Sequence, residues 1–421
     1  MSTTIEEIVL MMRRERDQLL SRAYLQRLTR HDNAVLLATG EIKLITGPRR
    51  AGKSTLALLM LRDKNFAYLN FDSRSLLDLW DENAVMAAID RIFPGYDYLL
   101  LDEVQNLPGW DLWVAELYRR GVNLVITGSN AKMLSSEMAT VLTGRYLPID
   151  IMPLSLKEVL LWQKVDNAMG AEREAIVDEY LRLGGFPETI GARQITETYL
   201  STLFDAIVLK DIAMRHKVRH TDDLGKLASY LVSNIARPMT SRSIMEAVGL
   251  ASISTTQKFI GYMMEPYLFY FLPRYDNKLR LMNRAPRKVY IADNGFITAK
   301  AFSTSPDRGR ILENSVFIDL IRNGYKPGLS LFYYRSRNDR EVDFVTRRGT
   351  TVEQVIQVCY DMTQPKTRKR EMDSIVECAD ELGAKNLAIV TRHESGTTEY
   401  RGHDIRIVSI TLCGDKSTNK Y

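Results

Sequence analysis

The sequence has few cysteines and no long apolar run. Cysteine occurs only three times in 421 residues, at Cys359, Cys378 and Cys413, and this odd, widely spaced set argues against a disulfide framework or a zinc knuckle. No stretch reaches the roughly 18 uninterrupted apolar residues that a membrane helix needs. Glu6 and Glu7 precede the apolar run IVLMM and a basic cluster follows it, which is the reverse of a secretory signal. We therefore expect a cytoplasmic protein without a membrane span.

Positive charge is unevenly distributed along the chain. Residues 1–150 hold 18 basic and 19 acidic side chains, a net charge of −1, within a total of 57 basic and 52 acidic, so the remainder carries 39 − 33 = +6. Residues 224–290 alone hold 10 basic and 3 acidic side chains, a net charge of +7. Such a patch attracts a polyanion, although a solvated basic face is the simpler alternative.

The first 150 residues alternate short apolar runs with amphipathic stretches. The runs are EIKLITG, FAYLNFD, YDYLLLDE, VNLVITGSN and YLPIDI. Runs of this kind are typical of buried parallel strands, and the segments between them have helical apolar spacing, so the pattern predicts the α/β class with a parallel sheet. A helical stretch is expected from about Ser155 to about Lys217. Mixed helices and strands are expected after Gly309.

A phosphate-binding loop follows the first predicted strand. The segment from Gly47 to Ser54 fits the pattern G-x-x-x-x-G-K-[ST], between a strand and a helix as that motif requires. Its backbone N–H groups and the helix N-terminus favour phosphate, Lys53 is expected to reach the β and γ oxygens, and the Ser54 hydroxyl to bind Mg²⁺. The predicted ATP-binding residues are Gly47, Pro48, Arg49, Arg50, Ala51, Gly52, Lys53, Ser54 and Thr55.

Two acids end the third predicted strand, about fifty residues after the loop. Tyr98 to Leu101 is apolar, and Asp102 and Glu103 follow it, as in a Walker B element. We expect Asp102 to hold the shell of Mg²⁺ and Glu103 to polarise the attacking water.

Three further side chains are candidates for contact with the γ-phosphate. Ser129 and Asn130 follow the next strand, where a polar residue can contact phosphate or water, although Gly-Ser-Asn is also ordinary turn chemistry. Arg145 precedes the last strand, and its guanidinium is expected to reach phosphate in cis or in a neighbouring subunit of a homo-oligomer. Arg49 and Arg50 compete for that role.

The strings ITGPRRAGKST, LLLDEVQN, ITGSNAKML and LTGRY resemble a large prokaryotic family of AAA-like P-loop ATPases. The resemblance implies that the ATPase core continues into a winged-helix segment and a C-terminal domain similar to the PD-(D/E)XK nuclease fold. On this basis we expect an ATPase core at 1–152, a helical lid at 153–222, a winged helix at 223–300 and a small α/β nuclease-like domain at 301–421.

The basic middle segment has the spacing of a helix-turn-helix. Thr240 to Gly249 reads as a capped short helix, and 252–264 as a second helix with Lys258 on its outer face. The following string FYFLPRYDNKLRLMN is predicted to be a hairpin-like wing. Lys258, Arg274, Lys278 and Arg280 are therefore the candidate nucleic-acid contacts, with DNA as the expected partner and RNA or branched DNA as alternatives; a joint between proteins is the competing interpretation.

The C-terminal acids match the nuclease pattern E…D…E-x-K in two of four places. Glu313 and Asp343 fit, but Gln357 stands at the position of the second strand acid and Cys359 at that of the lysine. A neutral amide binds Mg²⁺ far more weakly than a carboxylate, and a thiol supplies no comparable positive charge. We therefore expect a degenerate site that does not cleave nucleic acid.

Together these features predict an ATP- and Mg²⁺-dependent ATPase that acts on, or is recruited to, nucleic acid. Two alternatives stay open at this point. One is a regulatory switch whose nucleotide state controls a protein interaction. The other is a metal-dependent nuclease, which Gln357 and Cys359 oppose.

Overall fold

A computed structural model describes residues 3–134, 142, 144–165, 170–302 and 307–412. Cys413 lies outside the described residues. The chain forms two compact units, one of Met1–Met152 with Glu265–Tyr267 and the other of Pro153–Met264 with Leu268–Tyr421. Within the described ranges, no helix is both long and apolar enough to cross a membrane.

The first unit is built on a parallel sheet of five strands in the order β2-β3-β4-β1-β5. All five apolar runs of the sequence form strands, which confirms the predicted α/β class with a parallel sheet. The strand β4 lies between β1 and β3, so the loop after β1 and the acids after β3 are separated by one strand. The strands are β1 (Ile42–Thr46), β2 (Phe66–Asn70), β3 (Tyr98–Asp102), β4 (Leu124–Gly128) and β5 (Tyr146–Asp150).

Helices cover this sheet because its central strands are apolar on both faces. Every residue of β1 and β4 is buried, as parallel strands between two helical layers require. The first helix begins with a capping box, in which Thr4 and Glu7 satisfy each other's backbone N–H groups. The helices are Ile5–Leu20, Asn33–Leu37, Lys53–Leu61, Arg74–Asp78, Glu82–Ile92 and Trp110–Arg119, with 3₁₀ turns at Val104–Asn106 and Ala131–Leu134.

The second unit begins with helices, as the sequence predicts between about Ser155 and Lys217. Ser155 caps the first of them through Glu158. One segment, Ile207–Met214, is π-helical and continues directly from the helix before it. The helices of this part are Leu156–Trp162, Ala171–Leu183, Arg193–Ala206 and Thr221–Ser233, with a 3₁₀ turn at Pro187–Thr189.

The basic middle segment contains two helices and a three-stranded sheet. The helices are Ser241–Val248, capped by Thr240, and Ile253–Met264. The antiparallel sheet has the order β6-β8-β7, formed by β6 (Pro238–Met239), β7 (Phe269–Pro273) and β8 (Arg287–Ile291). The predicted hairpin is wrong in one respect, because the second half of FYFLPRYDNKLRLMN is the helix Leu279–Arg284 and the returning strand is β8. The string has no Gly-containing two-residue turn that would favour a tight hairpin, and the backbone directly after β7 pairs with Tyr333 instead of turning toward β8.

The C-terminal part is a mixed sheet of six strands in the order β13-β14-β12-β11-β10-β9, with a helix, Arg308–Arg322, preceding it in the chain. Its strands are β9 (Leu331–Arg335), β10 (Glu341–Arg348), β11 (Thr351–Val358), β12 (Leu387–Thr391), β13 (Gly396–Tyr400) and β14 (His403–Ser409). The helix Pro365–Leu382 connects β11 to β12, and Asn294–Lys300 follows β8. The sequence of edge strand β13, GTTEY, has little apolar character and so carries no strand pattern of its own.

Candidate active site

The phosphate-binding loop joins β1 to the helix Lys53–Leu61. Its conformation depends on glycine at two positions, since Gly47 and Gly52 have φ angles of 149° and 91°. A Cβ atom at Gly47 would lie 2.0 Å from the carbonyl oxygen of Ile151, so no larger residue fits there. Pro48 and Ala51 are buried, Arg49 and Thr55 are half-buried, and Arg50 is exposed. The loop therefore presents backbone and the start of a helix at the carboxyl edge of the sheet.

Lys53 lies inside this loop with only 3% of its side chain exposed. Its ammonium donates a hydrogen bond of 3.0 Å to the carbonyl oxygen of Pro48 and lies 3.4 Å from Oε1 of Glu103. The loop, the lysine and the second acid of β3 are thus brought together, as the sequence predicts. A cation held by a carbonyl and one longer ion pair is free to turn toward an incoming phosphate.

Asp102 and Ser54 are in direct contact. Ser54 Oγ donates to Asp102 Oδ1 at 2.7 Å, and Thr127 Oγ1 donates to the same oxygen. Burial raises the pKa of Asp102 to about 6, although the hydrogen bonds from Thr127 and Ser54 oppose that rise. A hydroxyl beside a carboxylate is the donor set that Mg²⁺ takes alongside substrate phosphates, so these two side chains fit the predicted metal role.

Glu103 has a left-handed backbone, with φ of 52°, and its amide donates to Thr127 Oγ1 at 2.9 Å. Its Oε2 accepts hydrogen bonds from Ser129 Oγ at 3.0 Å and from Gln105 Nε2. Burial alone would raise the pKa of Glu103, but the Lys53 ammonium and these donors hold it below the ordinary value. Glu103 is therefore an ionised carboxylate at neutral pH, oriented by two fixed donors.

The other predicted phosphate contacts divide into two groups. Ser129 and Asn130 are buried directly after β4, and Ser129 contacts Glu103. Arg145 is not at this edge, because its carbonyl accepts from the amide of Ile42, the first residue of β1. At about 3.3 Å per residue, the five-residue strand puts that end about 13 Å from the loop. The Arg145 guanidinium lies over the ring of Tyr118, 5.7 Å from its centroid, so the expectation of a contact in cis is wrong.

Three residues of the site were missed by sequence reasoning. Arg27 donates to the carbonyl oxygens of Ala51 at 2.6 Å and of Met152 at 2.7 Å, and so fastens the loop. Thr127 joins both acids, and Gln105 orients Glu103. Thr127 and Gln105 stand within three residues of the motifs and were within reach of sequence reasoning. Arg27 precedes the loop by 20 residues or more and carries no motif.

The candidate nucleic-acid residues lie in the second unit. Lys258, on the helix Ile253–Met264, is exposed, with its ammonium 5.8 Å from the centroid of the Tyr262 ring. Lys278 and Arg280 are exposed at the start of the helix Leu279–Arg284. Arg274 is half-buried and its backbone forms a bridge to Tyr333 of β9. Three of the four predicted contacts are therefore open to solvent.

The nuclease-pattern residues are only partly brought together. Glu313 and Asp343 both contact the ammonium of Lys288, at 3.0 and 2.8 Å. Gln357 instead donates to Glu371 at 2.8 Å. Cys359 follows the end of β11, and its Sγ donates to the carbonyl oxygen of Asp361. Burial raises the pKa of the Cys359 thiol to about 11, so it is neutral at physiological pH.

Comparisons with known proteins agree with this description of the first unit. Residues 39–160 match the family model described as an AAA domain. Residues 174–307 and 308–412 match two domains of unknown function, DUF8612 and DUF4143. The first unit is thus an AAA-like P-loop domain, while the winged-helix and nuclease-like interpretations of the second unit stay predictions.

Two relatives match over most of the chain. The uncharacterized protein MJ1544 of Methanocaldococcus jannaschii is 30% identical over 400 residues, which cover 90% of this chain and 89% of the relative. An uncharacterized protein of Haemophilus influenzae is 32% identical over 360 residues, covering 81% and 87%. Among solved structures, the Walker-type ATPase PABY2304 of Pyrococcus abyssi is similar at a TM-score of 0.46 and 14% identity, over 67% of this chain and 99% of that one.

Proposed function

The chain belongs to the same family as the uncharacterized proteins of Methanocaldococcus jannaschii and Haemophilus influenzae, and on that premise we propose that its AAA domain binds and hydrolyses Mg²⁺-ATP. The observation that carries the proposal is the convergence of Lys53, Ser54 and Glu103 around one loop. These side chains supply a cation for phosphate, a ligand pair with Asp102 and an oriented base.

Each of these residues has a distinct role in the proposed reaction. Loop amides between Gly47 and Ser54 bind the phosphate oxygens, and Lys53 exchanges the Pro48 carbonyl for them. Ser54 and Asp102 would hold Mg²⁺, which would supply positive charge beside those oxygens. Glu103, kept ionised by Lys53 and aimed by Ser129 and Gln105, orients the attacking water and accepts its proton.

The first test separates binding from turnover in the purified protein. ATP binding and phosphate release are measured for the parental chain and for Lys53→Ala and Glu103→Gln. Glu103→Gln should retain ATP without hydrolysing it, because Gln keeps the shape of the side chain but cannot take a proton. Hydrolysis at the parental rate would assign the base to another residue.

We propose that the second unit engages nucleic acid through the exposed face of the basic middle segment. Lys258, Lys278 and Arg280 support this proposal because they are exposed in a segment with a net charge of +7. Salt-dependent DNA binding, together with ATPase rates with and without DNA, tests it. Binding that does not change with salt, or the absence of binding, would favour a protein partner for this face.

One contact favours the second candidate function, a nucleotide-controlled switch. The segment Glu265–Tyr267 directly follows the helix Ile253–Met264, yet it packs with the AAA domain. There the amide of Ala131, next to Asn130, donates to the carbonyl oxygen of Glu265 at 2.7 Å. A shift of Ser129 and Asn130 on hydrolysis would therefore move Ala131, whose hydrogen bond to Glu265 lies directly after the end of that helix.

This coupling is tested by removing the donor. Ala131→Pro deletes the amide N–H, and Ala131→Ser is the matched control that keeps it. If the contact transmits nucleotide state, the helix Ile253–Met264 of Ala131→Pro should show the same amide hydrogen exchange in ADP and in an ATP analogue, whereas Ala131→Ser should keep the parental difference. Equal differences in both variants would exclude this route.

A further inference from the structure

The pattern of acids in the C-terminal part implies a divalent metal ion, and the side chains present do not fit one. Lys288 of β8 reaches into the acids with only 1% of the residue exposed. Its ammonium lies 3.0 Å from Glu313 Oε1, 2.9 Å from Glu341 Oε1 and 2.8 Å from Asp343 Oδ1. We call these four side chains the Lys288 cluster.

The ammonium occupies the centre of the Lys288 cluster. A cation bound by Glu313, Glu341 and Asp343 together would have to stand where Lys288 Nζ lies, since Nζ is within 3.0 Å of an oxygen from each. Two positive ions cannot share that position. Consistent with this, no group of three or more His, Cys, Asp or Glu in the described part of the chain is arranged to hold a metal ion.

Two other groups of the chain donate hydrogen bonds to these acids. Tyr290 donates from its hydroxyl to Glu313 Oε1 at 2.6 Å, and the amide of Val358 donates to Asp343 Oδ2 at 2.8 Å. Burial, followed by the Asp343 charge, raises the pKa of Glu313, while the Lys288 ammonium and the Tyr290 hydroxyl oppose that rise. Groups of the chain itself thus take positions on these carboxylates that a metal ion would otherwise use.

The backbone of Lys288 is fixed by strand pairing. Lys288 lies on the central strand of a three-stranded sheet, paired with Pro238 on one side and Leu272 on the other. The ring of Tyr333 lies 5.6 Å from the ammonium. Next to it, the ring of Tyr290 stacks on Phe317 with centroids 4.2 Å apart, which fixes β8 against the helix Arg308–Arg322.

We infer that Lys288 is the permanent counter-ion of these carboxylates, in the place where a nuclease-like domain would hold its metal. The cluster joins β8 of the basic middle segment to β10 and to the helix Arg308–Arg322 by charge. A divalent metal ion is therefore excluded from this position of the second unit. The same ion pairs hold the middle and C-terminal parts of that unit together. This inference is independent of the proposed ATPase activity, because no residue of the AAA domain takes part.

The decisive experiment measures metal binding. Mn²⁺ binding to the nucleotide-free full chain is followed by electron paramagnetic resonance for the parental protein, Asp343→Asn and Asp102→Asn. If Lys288 seals the cluster, Asp343→Asn should bind the same number of Mn²⁺ ions as the parental protein. A parental site that disappears in Asp343→Asn but persists in Asp102→Asn would overturn the inference.

A second arm opens the site deliberately. Lys288→Met, which keeps the length of the side chain without its charge, should gain one Mn²⁺ site per chain, and adding Asp343→Asn should remove that site. If the single variant does not fold, Lys288→Met with Glu341→Gln lowers the unbalanced charge and is measured in its place. A folded variant that gains no Mn²⁺ site would contradict the claim that Lys288 takes the place of a metal.

The third arm distinguishes a counter-ion from a catalytic lysine. Linear, nicked and branched DNA are incubated with the parental protein and Mg²⁺ or Mn²⁺. We expect no cleavage. Metal-dependent cleavage that is lost in both Lys288→Met and Asp343→Asn would mean that Lys288 serves an active nuclease, and the inference would fail.

Discussion

Both units of this protein place a buried lysine beside acids, but the two lysines are held very differently. Lys53 has one carbonyl partner at 3.0 Å and one carboxylate at 3.4 Å. Lys288 has three carboxylates, all at 3.0 Å or less. The Lys53 ammonium has few competing partners and can bind a phosphate ligand at the start of its helix. The Lys288 ammonium is already neutralised by three carboxylates. The number and distance of acids therefore separate a binding lysine from a structural one.

The largest expected effects come from replacing Lys53, the lysine proposed to bind ATP, and its neighbour Glu103. Lys53→Ala should abolish ATP binding, and Glu103→Gln should lower turnover about 10²- to 10⁴-fold while ATP stays bound, because only the second change removes the base. Equilibrium binding of a fluorescent ATP analogue and single-turnover phosphate release measure the two steps. Glu82→Gln, at the half-buried first residue of the helix Glu82–Ile92, is the control and should behave as the parental protein.

The next effect tests the structural side. Lys288→Met should lower the free energy of unfolding of the second unit by about 3–5 kcal/mol, because it leaves buried carboxylates without a counter-charge. Lys300→Met is the matched control, since Lys300 pairs with the exposed Asp205 and such pairs contribute about 0–1 kcal/mol. Urea unfolding measures both. Equal losses would mean that the cluster contributes no more than a surface ion pair.

The same contrast explains which features the sequence could reveal. The five strands and the cluster of Lys53, Asp102 and Glu103 were predictable because a motif fixes their spacing and parallel strands end at one edge. Lys288 was not identified from the sequence, because its acids lie 25 to 55 residues further along the chain. Long-range ion pairs have no local signature.

Two other errors have the same origin. Arg145 precedes a strand, so its position in the motif string suggested the site, but the start of a parallel strand is the opposite edge of the sheet from the loop. The short helix Leu279–Arg284 replaced a predicted hairpin arm because tertiary contacts of Arg274 and Tyr275 with Tyr333 hold the start of this connection away from β8. Local pattern alone carries neither fact.

A smaller effect is expected from Arg27, which holds the loop that contains Lys53. Arg27→Met should weaken ATP binding about tenfold, because it removes two hydrogen bonds from a guanidinium to the carbonyls of Ala51 and Met152 that fix the loop. Turnover at saturating ATP should change less than affinity. Arg30→Met, at a nearby exposed position, is the control in the same titration. An unchanged affinity would show that Gly47 and Gly52 set the loop without Arg27.

A further test concerns the exposed basic residues, which differ from Lys288 in having solvent around them. Charge reversal of Arg274, Lys278 and Arg280 together should weaken DNA binding and reduce the slope of log K against log salt by roughly 0.9 for each lost phosphate contact. Lys278 and Arg280 should account for most of the change, because Arg274 is half-buried. Fluorescence anisotropy at several salt concentrations measures the slope, and ATP affinity, measured in parallel, should stay constant.

The smallest effect on an isolated chain is expected for Arg145. Its guanidinium lies over Tyr118, at the edge of the sheet opposite the phosphate-binding loop, so Arg145→Ala should leave ATP affinity unchanged. If the residue serves a neighbouring subunit, it meets charge only in the transition state, and turnover falls in the assembled protein alone.

Mixing the two variants distinguishes a role in a neighbouring subunit from no role in the reaction. Arg145→Ala subunits should regain activity when assembled with Glu103→Gln subunits, because a mixed interface then pairs an intact Glu103 with an intact Arg145. Arg119→Ala, which alters another arginine at the end of the helix that carries Tyr118, is the control and should need no rescue. Full activity of Arg145→Ala at every protein concentration would remove this residue from the reaction altogether.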